Sequence, residues 1–424
     1  MSRKKNKKKY NENITAEIHP QKKSTASSVN KLHYIFLFAF AFLLYANTLQ
    51  HGYAFDDAVA ITGNTFTKQG IRGIPDLLKK DLFEGIYGQA LELGGGRWRP
   101  LSLITFALER EVAGDNPRVS HWINVILYGI SAVLLFITLQ KILPGKSLLN
   151  FLITMLFIAH PVHTEVVANI KSRDEILAFI GLCLTIFWLF KFLESDKRKF
   201  MLFSCIAYFL ALTSKENGIT FAAIIPLTLF CFAGNSWKES FVKAIPLLVV
   251  AAVYVAIRSN LVGMIGDREN PDIMENPFVG AAFMEKYATI TKILGLYVWK
   301  LFFPVILSSD YSFNEIPRIG WNDPGAVASL LIYLSLTVYA VINIRKKNNQ
   351  PLLLIGYGIL FYIITMSIVS NVVFNIGAPM GERFLYLPSL GFCISISAAL
   401  LLPLKITDWD TLKFNGKIFT MEKF

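Results

Sequence analysis

The sequence predicts an all-α, polytopic integral membrane bundle of 10–11 transmembrane helices with a long first outer loop, and three observations predict it. Hydrophobic residues make up 54% and charged residues only 17% of the 424, too apolar a mixture for a domain solvated mainly by water. Charge-free runs at 32–55, 122–140, 324–344 and 384–404 approach or exceed the roughly 20 residues that a helix needs to cross the hydrocarbon core. None of the runs alternates apolar with polar residues, as the strands of a membrane barrel must.

Residues 1–31 come first and read as a disordered, basic cytoplasmic tail. Nine of the 42 Lys and Arg lie there against two acidic residues, a composition drawn to an anionic lipid leaflet. The net charge of +12 is therefore a membrane signature, and no nucleic-acid partner is expected. The tail is too long and polar for a signal peptide, and the sequon at Asn13 is silent on a cytoplasmic segment. Residues 32–403 form the multi-pass membrane domain, with the first outer loop at 51–121, and 404–424 form a short C-terminal cytoplasmic tail.

Charge placement then sets the order of crossings. With the tail inside, the first span exits near Gln50 and the second returns at Lys141. The basic connections 141–146 and 191–199, and the pair Lys238 and Lys243, all fall inside as cytoplasmic loops should. The seventh span leaves near Gly263, and Arg345-Lys346-Lys347 must also lie inside. Segment 283–304 therefore cannot cross, and with Lys292 and Lys300 interrupting it, it reads as an interfacial or re-entrant helix. Ten crossings result, with both termini cytoplasmic; an eleventh follows only where the charge rule fails.

This topology gathers the polar motifs on one side: Asp56-Asp57, Arg97-Trp98-Arg99-Pro100, His160-Pro161-Val162-His163-Thr164-Glu165, residues 171–175, Lys215-Glu216, Asp310-Tyr311 and Glu382-Arg383. The runs ending at His160 and Ser214 are short of a full crossing, and Arg258 precedes its exit by about a turn. A site sunk into the outer leaflet is the expectation, since ionisable groups at that depth face protein cavities.

Each motif carries two readings. Asp56 and Asp57 are solvated loop carboxylates or a helix cap, or else neighbours that perturb each other and leave one as a general base. His160 and His163, with Glu165 near, have metal-ligand spacing, but Pro161 between them and the lack of a third spaced ligand favour hydrogen bonding. Arg99, Lys215, Arg258 and Arg383 are snorkelling anchors, or clamp a phosphate. Trp98, Trp122, Trp299 and Trp321 read as an interfacial aromatic belt. Cys183, Cys205, Cys231 and Cys393 sit in apolar runs without metal spacing, and Gly94-Gly95-Gly96 is a loop element, not a phosphate cradle.

The ordered series Phe55-Asp56-Asp57, Arg99-Pro100-Leu101, His160 to Glu165 continuing to Arg173-Asp174-Glu175, Ser214-Lys215-Glu216, Asp310-Tyr311-Ser312 and Gly381-Glu382-Arg383 resembles the membrane half of the transmembrane and tetratricopeptide-repeat-containing O-mannosyltransferases. The resemblance covers about residues 32–403. It implies a C-type glycosyltransferase fold with an acidic motif in the first outer loop. It also implies sugar transfer from a polyprenyl-phosphate carrier on the outer or lumenal face, with mannose as the sugar and protein Ser or Thr as the acceptor in eukaryotic relatives. On that pattern Asp56, with Asp57, is the candidate base, and Glu382-Arg383 contributes to donor binding. His160, His163, Glu165, Arg173, Asp174, Glu216, Asp310, Tyr311 and Glu382 line the site. The lipid-linked sugar is a substrate, a divalent metal is optional, and the acceptor hydroxyl belongs to a protein or a glycolipid.

The sequence departs from the family by stopping at Phe424, where the repeat array is missing: the reading is a membrane-only member or an incomplete gene product. The bare basic tail favours a bacterial cytoplasmic membrane over the endoplasmic reticulum. The competing function classes are a secondary transporter or lipid flippase, whose site lies at mid-span in repeated halves, and a non-catalytic scaffold.

Overall fold

Lipid offers no hydrogen bonds, so an apolar run inside it must satisfy its backbone by coiling, and polar residues mark where each coil begins. The side chains of Asn116, Asp323 and Asn349 accept backbone N–H groups at three such starts, and Ser236 with Glu239 forms a reciprocal capping box at a fourth. In the computed structural model, residues 31–54, 56–88, 97–263, 277–311, 315–373 and 375–404 are described, with the paired strand residues 413–414 and 417–418. Residues 1–30, Phe55, Gly94-Gly95-Gly96, Ser312 and most of the C-terminal tail lie outside the described residues.

The principal helices are α1 (Lys31–Leu44), α2 (Pro100–Ala113), α3 (Pro117–Ile142), α4 (Ser147–Ala159), α5 (Arg173–Ser195) and α6 (Arg198–Ser214). After them come α7 (Phe221–Phe232), α8 (Trp237–Val262), α9 (Phe283–Phe302), α10 (Pro324–Asn343), α11 (Gln350–Ser367) and α12 (Ser389–Leu401). The chain is an all-α, multi-pass membrane protein. Five helical stretches are long and apolar enough to cross a bilayer: α3, residues 170–195, α8, α10 and α11. The pair Ser147–Ala159 and Pro161–Ala168, bent by 54°, makes a sixth, and α1, α12 and Glu216–Phe232 are shorter apolar helices.

Contacts divide the bundle into two ends. At one, Lys141 pairs with Glu194, and Lys347 donates to the Asn235 carbonyl at 2.8 Å; the basic connections meet there. At the other lie Asp56, Arg99, His160, Lys171, Lys215 and Glu382.

Helix α9 is tied to its neighbours by polar contacts. Thr289 accepts from Ile319 N at 3.0 Å, Lys292 pairs with Asp323 at 2.9 Å, and Gly381 N donates to the Tyr297 hydroxyl at 3.0 Å. Between these contacts the Leu294 carbonyl accepts from the Tyr333 hydroxyl within α10 at 3.2 Å. Helices α11 and α12 press together at glycines: a Cβ on Gly358 would fall 2.4 Å from the Gly391 carbonyl oxygen, an approach that small residues alone permit.

The first long connection folds as a cap on the charged end. Ala60, Ile61, Phe66, Leu77, Leu82, Leu103, Phe106 and Ala107 pack with Ile170. Asn64 organises the cap by accepting from Phe66 N and Thr67 N while donating to the Val59 and Leu82 carbonyls. Trp98 corrects the aromatic-belt expectation. It is buried, donates to the Leu78 carbonyl at 3.0 Å and stacks on Tyr254, whereas Trp122 and Trp299 are exposed. An indole with an N–H partner is stable inside the protein.

Candidate active site

Helix ends bring the charges together. Asp174 and Glu175 occupy the first turn of α5, where the helix dipole favours carboxylates. Lys215 follows the last turn of α6, and Arg99 precedes Pro100 at the start of α2. Arg99 forks onto Glu216 through Nε at 2.8 Å and Nη2 at 2.5 Å, and its Nη1 donates to Asp174 at 2.6 Å. Lys215 Nζ reaches Asp174 at 3.1 Å and Glu175 at 2.7 Å. Arg99, Asp174, Glu175 and Lys215 are all buried, so two cations and three carboxylates form one interlocked network.

The two adjacent aspartates separate in role. Asp57 is buried, and its carboxylate accepts from Ala54 N and Lys171 N, both at 2.8 Å, which fastens the start of the cap to the entry of α5. A π-helical turn, Ala58–Thr62, follows it and turns the chain into the cap. Asp56 stays open, its side chain 37% exposed and 3.4 Å from Lys171 Nζ. Burial pushes the Asp56 carboxyl up, but the charges of Lys171, Arg383 and Arg97 outweigh burial and hold it below the usual carboxylate range. Burial lifts Asp57 above that range despite its two backbone donors.

Arg383 donates to Glu165 from Nη1 at 2.5 Å and from its backbone N at 3.1 Å. This joins the motif around His160 to the late Glu382-Arg383 motif. His160 Nε2 donates to the Leu301 carbonyl at 3.0 Å while Nδ1 accepts from Val162 N. His163 is wholly buried between the Tyr128 hydroxyl (3.0 Å) and Ser389 Oγ (2.9 Å). The Tyr128 hydroxyl donates to Ile158 O and Ser389 Oγ to the Tyr386 carbonyl, so both hydroxyls keep a backbone acceptor beside the imidazole. Among the described residues no group of three or more His, Cys, Asp or Glu is arranged to hold a metal ion.

The remaining predicted residues divide as follows. Arg173 faces away from Asp56: it binds Asn124 at 2.6 Å, the Ser120 carbonyl at 3.1 Å and Glu109, and lies over the Phe106 ring. It rivets α2 and α3 to α5. Glu382 is buried and receives Tyr311 Oη–H, Ser308 N and Lys300 Nζ on one oxygen. Arg258 donates to the Gly263 carbonyl at 3.3 Å beyond the end of α8, and Asp310 is exposed. A cavity inside the bundle, lined by residues such as Leu139, Cys183, Phe221 and Ile394, is apolar and holds none of these charges.

Sequence reasoning passed over Arg97 and Lys171 as site residues. Arg97 stands two residues before Arg99 and shares its partner, its Nη1 lying 4.0 Å from Glu216 with the side chain 36% exposed. The signal was present in the spacing but indistinguishable from an interfacial anchor.

No family model matches the chain, and no solved structure matches it. Among curated proteins it is 26% identical to human protein O-mannosyl-transferase TMTC1 over 83% of this chain and 44% of the relative. It is 26% identical to human protein O-mannosyl-transferase TMTC3 over 83% of this chain and 40% of the relative. A Caenorhabditis elegans protein O-mannosyl-transferase is 27% identical over 88% of this chain and 52% of its own length. The chain thus spans about half the length of the curated relatives it matches. These relatives are animal proteins, and nothing in them supports the bacterial membrane expected from the basic tail. By motif order and by similarity over most of its length, the chain is a relative of the transmembrane and tetratricopeptide-repeat-containing O-mannosyltransferases, matching their membrane domain.

Proposed function

We propose that the chain is a glycosyltransferase that moves a sugar, mannose by similarity to its relatives, from a polyprenyl-phosphate carrier to a hydroxyl acceptor on the non-cytoplasmic face. The observation that carries this reading is Asp56: an accessible carboxylate paired with Lys171 and under the charges of Arg383 and Arg97 at one charged end of a membrane bundle. The opposite end, rich in Lys and Arg, is cytoplasmic on the positive-inside rule, which puts Asp56 on the side where a lipid-linked sugar awaits transfer.

In this reading Asp56 takes the proton of the acceptor hydroxyl as its oxygen attacks the anomeric carbon. The bond from that carbon to the phosphate oxygen breaks in line, with inversion, and the polyprenyl phosphate departs. Arg97, Lys171 and Arg383 stabilise the phosphate as charge develops on it, a type of contribution that commonly dominates the rate. Arg99 and Lys215 keep their place in the site but act behind it: their donors are committed to carboxylates, and they hold Glu216 and Asp174 in position. Asp57 positions Asp56 by pinning the backbone on either side. Protein Ser or Thr is the acceptor by similarity, and a glycolipid hydroxyl is the other candidate. The transferase names of the relatives do not favour a transporter or flippase.

The test is radiolabelled mannose transfer from polyprenyl-phosphate mannose by the purified chain in nanodiscs, offered Ser/Thr peptides and glycolipids. Transfer to either acceptor class is expected. No transfer to any acceptor, together with substrate counterflow in proteoliposomes, overturns the reading.

A further inference from the structure

The segment joining α9 to Tyr311 takes no part in the chemistry above, yet its two ends differ sharply in character. Its tip is apolar and open: Phe302, Phe303, Val305 and Ile306 are 54%, 52%, 85% and 81% exposed. Its root is polar and sheltered. Lys300 Nζ donates to the Ile306 carbonyl at 2.6 Å, which closes the tip into a turn, and pairs with Glu382 at 3.0 Å. Ser308 N and the Tyr311 hydroxyl converge on the same Glu382 oxygen. The next residue after Glu382 is Arg383, which pairs with Glu165 and whose charge acts on Asp56.

Non-helical backbone is not tolerated deep in hydrocarbon, so this turn rides at the boundary between headgroups and acyl chains, with its side chains dipping inward. Read from the tip toward Asp56, the order is apolar side chains, then Lys300, then Arg383. That order matches a lipid phosphate, which presents a hydrocarbon tail followed by an anion. A water-soluble sugar donor would gain nothing from the apolar tip.

We propose that residues 302–306 form the lip over which the donor's hydrocarbon chain enters from the bilayer, its first isoprene units lying against Phe303, Val305 and Ile306 while its phosphate reaches the cations around Asp56. Glu382 is the positioning residue that fixes the root of the lip. The inference rests on the polyprenyl-phosphate reading given under Proposed function.

The experiment compares KM for a long-chain polyprenyl-phosphate mannose with KM for a short analogue whose phosphate carries a methyl group and no isoprene unit, in nanodiscs, for the native chain and the triple variant Phe303→Ser, Val305→Ser, Ile306→Ser. The ratio of long-chain to short-chain KM is expected to rise about ten-fold, the effect of losing contact with roughly two methylenes. Unchanged values, or an equal rise in both, overturn the lip while leaving the transferase reading intact. If the native chain transfers from neither donor, the transferase reading falls and the lip with it. Should the triple variant melt early, Phe303→Ser alone carries the same comparison.

Discussion

Replacing Arg99 by Met removes the guanidinium and keeps most of the unbranched stem. Three charged hydrogen bonds disappear, at 2.8 and 2.5 Å to Glu216 and 2.6 Å to Asp174. Breaking a buried ion pair by deleting one partner costs about 3–5 kcal/mol, because the other charge is left desolvated. Asp174 is 2% exposed and retains Lys215, while the Glu216 side chain is 23% exposed and has Arg97 nearby. Both facts pull the expected loss toward the lower end, about 3 kcal/mol. Thermal unfolding of the purified chain without donor measures it, and the double variant Arg99→Met, Glu216→Leu should recover part of the loss, as coupled neighbours do. Arg97→Met, at a far more open side chain, should change stability by less than about 0.5 kcal/mol and raise donor KM. An Arg99→Met protein that melts like the native chain and shows only a raised donor KM would refute the structural role given to Arg99.

Three further outcomes follow from the same contacts. Gly358→Val should lower the melting temperature through a loss of about 1–3 kcal/mol, because any Cβ there strikes the Gly391 carbonyl. His163→Ala should cost about 1–3 kcal/mol by removing the imidazole's hydrogen bonds to the Tyr128 and Ser389 hydroxyls from a wholly buried position, with donor KM unchanged in a transfer assay. The pH profile of kcat/KM should show an Asp56-dependent acid limb below the usual carboxylate range. Lys171, Arg383 and Arg97 depress its carboxyl, so the base form survives until pH falls through that lowered value. Lys171→Met, which removes the nearest cation, should move the limb upward.

The all-α, multi-pass class was legible because it follows from a local property, the length of the apolar runs. The gathering of charged motifs at one end was legible for the same reason. What each charged residue does there was not. Arg99 meets Asp174 across 75 positions and Glu216 across 117, and no spacing rule registers such a pairing. The division between Asp56 and Asp57 escaped for a related reason. It depends on which carboxylate finds the Lys171 backbone N–H, 114 positions away. Trp98 was misread because an indole suits both an interface and a core with an acceptor, and the Leu78 carbonyl supplies that acceptor.

The central claim is that Asp56 removes the acceptor proton while Asp57 only holds it in place. Mannose transfer by Asp56→Asn, measured beside its melting temperature and donor binding, tests this most directly. The account predicts a fall of at least about 100-fold with melting and donor binding unchanged, whereas Asp57→Asn should lose stability first. Full transfer activity in Asp56→Asn would contradict it.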